Sequence, residues 1–309
     1  MTVLICDPVA TTTIQMLEEA GIEVDNRPDI TADELLQDAA NYDGMVVRSR
    51  TRVPKEVIDA ATSLKIVVRG GVGLDNIDVS YAQSKGVAVR NTPKASSNSV
   101  AELALGYMLA LARKIPQGTM SMAQGEWKKK QLKGTEIAGK TLGLIGFGNI
   151  GSLLGEKAAA LGMDVIFYRR TPIEVSYARQ VSLDELLAES DYISLHVPKT
   201  PDTAHVLDAG AFAKMKEGVY IIHCGRGGTL DENALHDALV SGKVAGAALD
   251  VYEDEKVSPG NPKLFELGDG NGFLRVIGSP HIGASTVEGQ DRVGVEVAEI
   301  LIDFYKENS

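Results

Sequence analysis

The sequence predicts an α/β protein of two doubly wound, parallel-sheet domains, and three observations carry that reading. Short apolar runs alternate with helix-period segments through residues 1–90 and again beyond Gly139, the pattern that gives a parallel sheet covered by helices on both faces. A long, largely apolar helix pattern over residues 96–115 separates the two alternating stretches. The 309 residues are enough for two sizeable cores.

In chain order, residues 3–6 form an apolar run ended by Asp7-Pro8, and a helix pattern through Ile14, Met16, Leu17 and Ala20 stops at Gly21. Residues 22–24 read as the next strand. Thr31 and Glu34 have capping-box spacing and open a helix to about Ala40. Residues 44–47 and 64–68 are strands, and the helix between them starts at Pro54, proline suiting a first turn. A helix at 78–84 and a strand at 87–89 complete the alternation. This half has no G-x-G-x-x-G, so nucleotide binding falls to the other half. Asn91-Thr92-Pro93 breaks the pattern. The single helix expected over 96–115 is apolar over much of its surface, so it belongs in a large core or against a second subunit. A turn at Pro116 leads to Glu126-Trp127-Lys128-Lys129-Lys130, which spacing alone leaves as a solvated run.

Residues 141–145 are apolar and run into Gly146-Phe147-Gly148-Asn149-Ile150-Gly151, then a helix pattern to Leu161, Gly162, and a second apolar run at 164–168. Strand, G-x-G-x-x-G, helix, strand is the context of a dinucleotide-binding fingerprint. Gly146 permits the tight turn, Gly148 lets the backbone approach a pyrophosphate, and Gly151 lets helix and strand pack closely. The diphosphate then sits at a helix N-terminus, where N–H groups and the helix dipole favour anions. The second strand ends Tyr168-Arg169-Arg170-Thr171, with no acid before Glu174. Two guanidiniums pair with a 2′-phosphate, and neither accepts hydrogen bonds from a ribose diol. NAD and NADP both stay open, with Arg169 and Arg170 favouring NADP.

Beyond the fingerprint, Ser182 and Glu185 cap a helix, and the strand 192–195 ends at His196-Val197-Pro198. Strand 219–222 leads to His223-Cys224-Gly225-Arg226-Gly227-Gly228. A helix at 231–239 is followed by strand 244–249, ending at Asp250. The last strand, 275–277, ends at Ser279-Pro280-His281, and a final helix runs from 288 to about 305. Ligands of such a sheet bind beyond the carboxyl ends of its strands. His196, Arg226, Asp250, Glu255 and His281 all stand there. Reduction of a 2-keto acid needs a cation for the carboxylate, an acid for the carbonyl oxygen and a group that keeps that acid protonated. Arginine, histidine and glutamate supply these.

The net charge of −11 argues against nucleic acid or an anionic membrane as partner. It leaves room for a small anionic substrate in a locally basic pocket. Two cysteines, Cys6 and Cys224, are too few for a disulfide framework or zinc site, and no metal is expected. A reducing cytoplasm fits. The N-terminus has no basic n-region, and no apolar run reaches the length of a membrane span.

Nearly end to end, the sequence resembles the D-isomer specific 2-hydroxyacid dehydrogenase family, most closely its D-3-phosphoglycerate dehydrogenase branch. The motifs that carry this are Val47-Arg48-Ser49, the run from Arg69 to Asp78 (RGGVGLDNID), Asn91-Thr92-Pro93, Ser99-Val100-Ala101-Glu102-Leu103, GEWKKKQLKG from Gly125, GFGNIG, Arg226-Gly227-Gly228, Ala248-Leu249-Asp250-Val251-Tyr252 and PHIGAST from Pro280. The resemblance implies a homodimer with its active site in an interdomain cleft. A Rossmann nucleotide-binding domain, 96–282, would be inserted in a flavodoxin-like substrate domain, 1–95 and 283–309. Matched positions give Arg226 as the substrate-orienting cation, His281 as acid/base, and Glu255 as the partner favouring its imidazolium form. Asp250 would hold the nicotinamide carboxamide. His196, Val197, Pro198 and Thr203 would line the cofactor, together with Gly146, Gly148, Asn149, Ile150, Gly151, Arg169, Arg170, Cys224, Gly225 and Gly283. Arg48, Ser49, Arg69, Gly70, Gly71 and Val72 match substrate contacts, and Trp127–Lys130 matches a segment near the dimer interface.

The implied reaction moves a hydride between NAD(P) and a small D-2-hydroxy acid. The leading pair is 3-phosphoglycerate and 3-phosphohydroxypyruvate in serine biosynthesis, with Arg48, Arg50, Arg69 and Lys128–Lys130 available for the phosphate. An NADPH-dependent hydroxypyruvate or glyoxylate reductase is the alternative. A non-enzymatic nucleotide-sensing corepressor is a third reading, against which Arg226, Glu255 and His281 together speak. The sequence departs from the branch at Arg169, where an acid is usual, at Ser96 and His223, where asparagine is usual, at Lys256, and in a longer 257–272 loop. Because the chain stops soon after its last helix, no regulatory domain and no serine feedback through one are expected.

Overall fold

Five four-residue strands build the first sheet: β1 (Thr2–Ile5), β2 (Glu23–Asn26), β3 (Gly44–Val47), β4 (Ile66–Arg69) and β5 (Ala88–Asn91). Their order is β2-β1-β3-β4-β5 with every pair parallel, the flavodoxin-like winding. Central β3 is buried at all four residues, as a strand covered on both faces must be, whereas edge strand β2 is not buried at any. Helices α1 (Thr11–Glu19), α2 (Ala32–Asp38), α3 (Lys55–Ala60) and α4 (Val79–Ser84) make the crossovers. The capping box of α2 forms as the sequence predicts, with Glu34 N–H donating to Thr31 Oγ1 and Thr31 N–H to Glu34 Oε2. The last helix of the chain, α12 (Val287–Glu307), returns to this unit and buries Val293, Val297, Ala298 and Leu301 in one core with Val3, Ile5, Leu17 and Val68.

In this computed structural model, which describes residues 1–255, 261–268, 270 and 274–308, the chain divides into two compact units. Met1–Ser97 with Ala284–Ser309 is one, and Asn98–Gly283 is the other. Lys256 and part of the 257–272 loop lie outside the described residues.

The second unit opens on α5 (Ser97–Arg113) and α6 (Ile115–Ala123). The helix expected over 96–115 forms as α5, and a second helix, α6, begins where only a turn at Pro116 was expected. Lys114 adopts φ 52°, which breaks the ladder, and Pro116 takes the first turn of α6, where its missing N–H costs nothing. Seven strands follow: β6 (Thr141–Ile145), β7 (Asp164–Tyr168), β8 (Arg179–Gln180), β9 (Tyr192–Leu195), β10 (Val219–His223), β11 (Val244–Leu249) and β12 (Val276–Gly278). They are parallel throughout, in the order β12-β11-β10-β9-β6-β7-β8. Helices α7 (Asn149–Ala160), α8 (Leu183–Glu189), α9 (Ala209–Lys214), α10 (Glu232–Ser241) and α11 (Pro262–Phe265) complete it. Ile221, Ala247 and Leu249 enter one core while Ile222 and Ala248 enter another, so the period-2 alternation assigns one core to each face. The strand order reverses between β6 and β9, and that switch point is where a ligand crevice opens in such sheets. No helix among the described residues is long and apolar enough to cross a membrane.

At the carboxyl edge of the first sheet Asp7 is almost wholly buried. Its carboxylate accepts bonds from Arg48 N–H (2.5 Å), Arg50 Nε (3.0 Å) and both the N–H (3.3 Å) and hydroxyl (3.0 Å) of Thr51. The other donors of Arg50 go to the carbonyls of Cys6, Pro28 and Ile30. Asp7→Ala leaves these groups without their acceptor and is expected to cost about 2 kcal/mol, read as a lower urea midpoint.

Candidate active site

The fingerprint glycines stand at the switch point, and the structure shows what each is for. Gly146 has φ +94°, and a Cβ there would lie 2.6 Å from the His196 carbonyl oxygen. At Gly151 a Cβ would strike the Gly146 carbonyl, so the start of α7 packs against the turn. Gly148 differs, because a Cβ there would meet only open space. That space is a hollow of about 410 Å³, whose lining includes Gly146, Gly148, Arg169, Arg170, His196, Val197, Pro198 and Thr203. Gly148 is the N-cap of α7 and offers no side-chain acceptor to the first-turn N–H groups, which keeps that helix end suited to a diphosphate. Asn149 and Ile150 form its first turn. The residues present fit a dinucleotide.

Arg169 and Arg170 follow β7 on the wall of the hollow. Half-buried Arg169 donates from Nη1 to the Phe147 carbonyl at 3.3 Å, and Arg170 lies 3.5 Å from Asp202, these last two largely exposed. Beneath the turn, His196 and His223 end neighbouring strands. Burial pushes His196 down to about 3, with the His223 charge adding to it. Burial likewise pushes His223 down to about 4, with a backbone hydrogen bond at Arg226 opposing the shift and the Arg226 and His281 charges adding to it. Both imidazoles are therefore neutral. His196 Nε2 meets Ser194 Oγ at 2.8 Å, whereas the buried His196 Nδ1 has no hydrogen-bond partner among the described residues. A buried, unmatched nitrogen on a residue that lines the hollow is what a site for a polar ligand provides.

Further along the same edge, Arg226 follows β10 in a turn closed by Thr229, whose hydroxyl donates to the Arg226 carbonyl at 2.8 Å. Arg226 Nη1 donates to the Gly225 carbonyl at 2.8 Å. Cys224 beside it is buried, and burial pushes its thiol pKa up, so it is inert. His281 Nδ1 lies 2.9 Å from the Glu255 carboxylate. This pairing fixes the ring and leaves Nε2 as its outward nitrogen. His281 has φ +54°, a left-handed conformation uncommon for a residue of this kind.

What holds that conformation is Asp250, buried to 1% exposure at the end of β11. Its Oδ1 accepts the Ile282 N–H at 2.8 Å and the Ser279 hydroxyl, and its Oδ2 accepts the Gly283 N–H at 2.7 Å. Tyr252 OH donates to the Ser279 carbonyl at 3.1 Å and the Leu249 carbonyl at 3.0 Å, and Tyr107 OH meets Ser279 Oγ. Ser279, Tyr252 and Tyr107 thus belong to the site's support. Sequence reasoning passed over them in that role, because a buried hydroxyl carries no motif. In the first unit, the β3–β4 register pairs Val47 with Arg69, which brings Arg48, Ser49, Arg69, Gly70, Gly71 and Val72 to one sheet edge. Burial holds the Arg48 guanidinium below the usual arginine range. Arg69 folds across Gly71, whose N–H donates to Thr92 Oγ1 at 2.7 Å.

A sheet of this order, with a glycine turn at its switch point and an imidazole–carboxylate pair on the same edge, is the frame of a dinucleotide-dependent oxidoreductase. The family model "D-isomer specific 2-hydroxyacid dehydrogenase, NAD binding domain" matches residues 105–283. A hydroxypyruvate reductase of Thermotoga maritima is 48% identical, covering 95% of this chain and 94% of that protein. A D-3-phosphoglycerate dehydrogenase of Methanocaldococcus jannaschii is 47% identical over 96% of this chain, which spans only 56% of that relative's length. The solved structure of a glyoxylate reductase from Paecilomyes thermophila superposes with a TM-score of 0.86 at 32% identity, covering 97% of this chain and 94% of the other. The chain belongs to the D-isomer specific 2-hydroxyacid dehydrogenases, and its cofactor is a nicotinamide dinucleotide.

The two buried imidazoles predict acid sensitivity. In the unfolded chain they take up protons near 6.5, and in the folded chain only near 3 and 4. Stability is therefore full above pH 6.5 and falls as pH drops from 6.5 toward 4, because the unfolded state binds more protons in that window. His223→Asn should flatten the fall in melting temperature across that range, removing on the order of 3 kcal/mol of acid destabilisation.

Proposed function

We propose that the chain interconverts a small D-2-hydroxy acid and its 2-keto acid, with Arg226, Glu255 and His281 as the reacting-site residues. The 2.9 Å contact between His281 Nδ1 and Glu255 carries this reading. A carboxylate at that nitrogen stabilises the imidazolium, so Nε2 delivers a proton to the carbonyl oxygen during reduction and recovers it during oxidation. Arg226 pairs with the substrate carboxylate through its planar fork and sets which face of the carbonyl is presented. The nicotinamide, when bound, supplies or accepts the hydride. Asp250 keeps the His281 loop in register.

The leading substrate pair is 3-phosphoglycerate and 3-phosphohydroxypyruvate, which places the reaction in serine synthesis. Its support is the name of the 47%-identical relative and the pair of cations, Arg48 and Arg69, at one edge of the first unit's sheet. Reduction of unphosphorylated hydroxypyruvate or glyoxylate is favoured by a different observation. Arg50 spends donors on Asp7 and three carbonyls, Lys128 pairs with Glu126 at 2.6 Å, and Arg48 Nη1 donates to the Pro8 carbonyl at 3.3 Å, so these cations considered for a phosphate already have protein partners. A relative matched along 94% of its length, that of Thermotoga maritima, is a hydroxypyruvate reductase. For the cofactor, Arg169 and Arg170 on the wall of the hollow favour a 2′-phosphate, hence NADP. A second copy of the chain is the partner proposed for α6 and the segment after it, where Ile115, Met120, Met122 and Trp127 are exposed. Two buried, unpaired cysteines suit a reducing cytoplasm.

Steady-state reduction of phosphohydroxypyruvate, hydroxypyruvate and glyoxylate, each with NADH and NADPH, tests these assignments together. NADPH should be preferred at least about tenfold in kcat/KM, and Arg169→Asp should reverse the preference. Equal use of both cofactors by the parent would remove the NADP assignment. His281→Asn should lower turnover about a thousandfold or more while cofactor affinity by fluorescence titration stays within about threefold. Asparagine tolerates the left-handed backbone, so retained turnover in that variant would overturn the acid–base role rather than report a broken loop.

A further inference from the structure

We propose that His205, outside the catalytic set, is a positioning residue that clamps the cofactor-side loop to the loop bearing Glu255. The proposal rests on the reading of Glu255 and His281 as the acid–base pair.

Three loops leave the carboxyl edge of the second unit's sheet side by side. The first, 197–206 after β9, carries Pro198 and Thr203 on the wall of the hollow. It is knotted on itself, with Thr200 N–H donating to Thr203 Oγ1 at 2.8 Å and Thr203 Oγ1 donating to the Pro198 carbonyl at 2.5 Å. The second, 224–230 after β10, carries Arg226. The third, 250–255 after β11, carries Glu255. His205 touches both of the others. Its N–H donates to the Gly228 carbonyl at 3.0 Å, and its Nε2 lies 3.0 Å from Glu253 Oε1.

Glu253 is itself held from the far side. Its Oε1 accepts the Glu232 N–H at 3.2 Å, and its own N–H donates to Glu232 Oε1 at 2.7 Å. Glu232 is buried at the start of α10 and accepts from Asn261 Nδ2 at 2.7 Å. The loop bearing Glu255 is thus fastened two residues before that acid, between α10 and His205. His205 reaches this position only by adopting φ +47°, a conformation unfavourable for a side chain of its type. Bonds at both its N–H and its ring hold it in that backbone. Order at Thr203 and Pro198 is passed through the imidazole to Glu253, and two residues on to the carboxylate that orients His281. The geometry therefore couples the cofactor-side loop to the placement of the proton donor.

Two substitutions separate this role from backbone strain. His205→Asn tolerates the left-handed conformation but is too short to reach Glu253, and His205→Gln places an amide donor near the position of Nε2. The expected result for His205→Asn is a kcat about tenfold lower with the keto-acid KM within twofold, and faster amide hydrogen exchange in both 199–206 and 252–255. His205→Gln should recover kcat to within threefold of the parent. In a double-mutant cycle, His205→Asn with Glu253→Ala should be no slower than the slower single variant. Unchanged kcat in His205→Asn, a Gln variant as slow as the Asn one, multiplicative losses in the cycle, or exchange that rises in 199–206 alone would each overturn the clamp. Retained turnover in His281→Asn would instead remove the acid–base reading, while the linked exchange of the two loops still reports on the clamp by itself.

Discussion

The Asp250 carboxylate is the interaction on which the candidate site depends. It is buried, it follows β11 directly, and it takes hydrogen bonds from the N–H groups of Ile282 and Gly283, the two residues after His281. A buried carboxylate is costly unless its lone pairs are met, and here backbone amides and the Ser279 hydroxyl meet them. The exchange works in both directions. The loop satisfies the acid, and the acid fixes the loop so tightly that His281 keeps a left-handed backbone beside Glu255. Without that anchor, the uncommon φ at His281 would have nothing to offset it, and the imidazole would lose its register with the carboxylate.

The same edge of the sheet sorts polar groups by how much water they see. His196 and His223 lie beneath the glycine turn, neutral because burial penalises the imidazolium. His281 and Glu255 are half-exposed and paired. A proton carried at the outer pair has no competing basic site in the buried one, because His196 and His223 accept protons only under strongly acid conditions. The carboxyl edge of the second sheet and its loops thus carry two buried, neutral imidazoles, His196 and His223, and two half-exposed ones paired with carboxylates, His281 with Glu255 and His205 with Glu253.

Much of this was legible in the sequence. Period and punctuation gave every strand but β8, because parallel strands buried on both faces are near-continuous apolar runs, and they gave the helices except α6, α9 and α11. The G-x-G-x-x-G context placed the hollow, since its glycines answer to local sterics that any chain must obey. What resisted reading depended on tertiary contacts. Helix α6, after the left-handed Lys114, begins where Pro116 read only as a turn, because a proline in a first turn and one in a loop look alike in sequence. Arg50, chosen as a candidate phosphate ligand for its charge, is a structural tie because its donors converge on Asp7 and three carbonyls. The β8 strand has two residues, too few to show a period. His205 carries no motif, because neither its φ nor its distance to Glu253 leaves a trace in one sequence.

Asp7 and Asp250 show one construction used twice. Each is an acid just past the end of a strand, Asp7 two residues after β1 and Asp250 one after β11. Each reaches to the loop of the hydrogen-bonded neighbour strand, β3 for Asp7 and β12 for Asp250, and binds its backbone N–H groups. The gripped loop in each unit carries a charged or titratable candidate for substrate chemistry, Arg48 in the first and His281 in the second. Parallel sheets impose the problem that this solves. Their strands end together at one edge, where the ladder stops and loop amides lose their partners. A single buried carboxylate supplies acceptors for several of those amides at once, and it can do so only if the neighbouring loop holds one conformation. Precision at the site thus comes from satisfying backbone groups, which is why the acids that provide it are buried while Arg48 and His281 keep access to solvent.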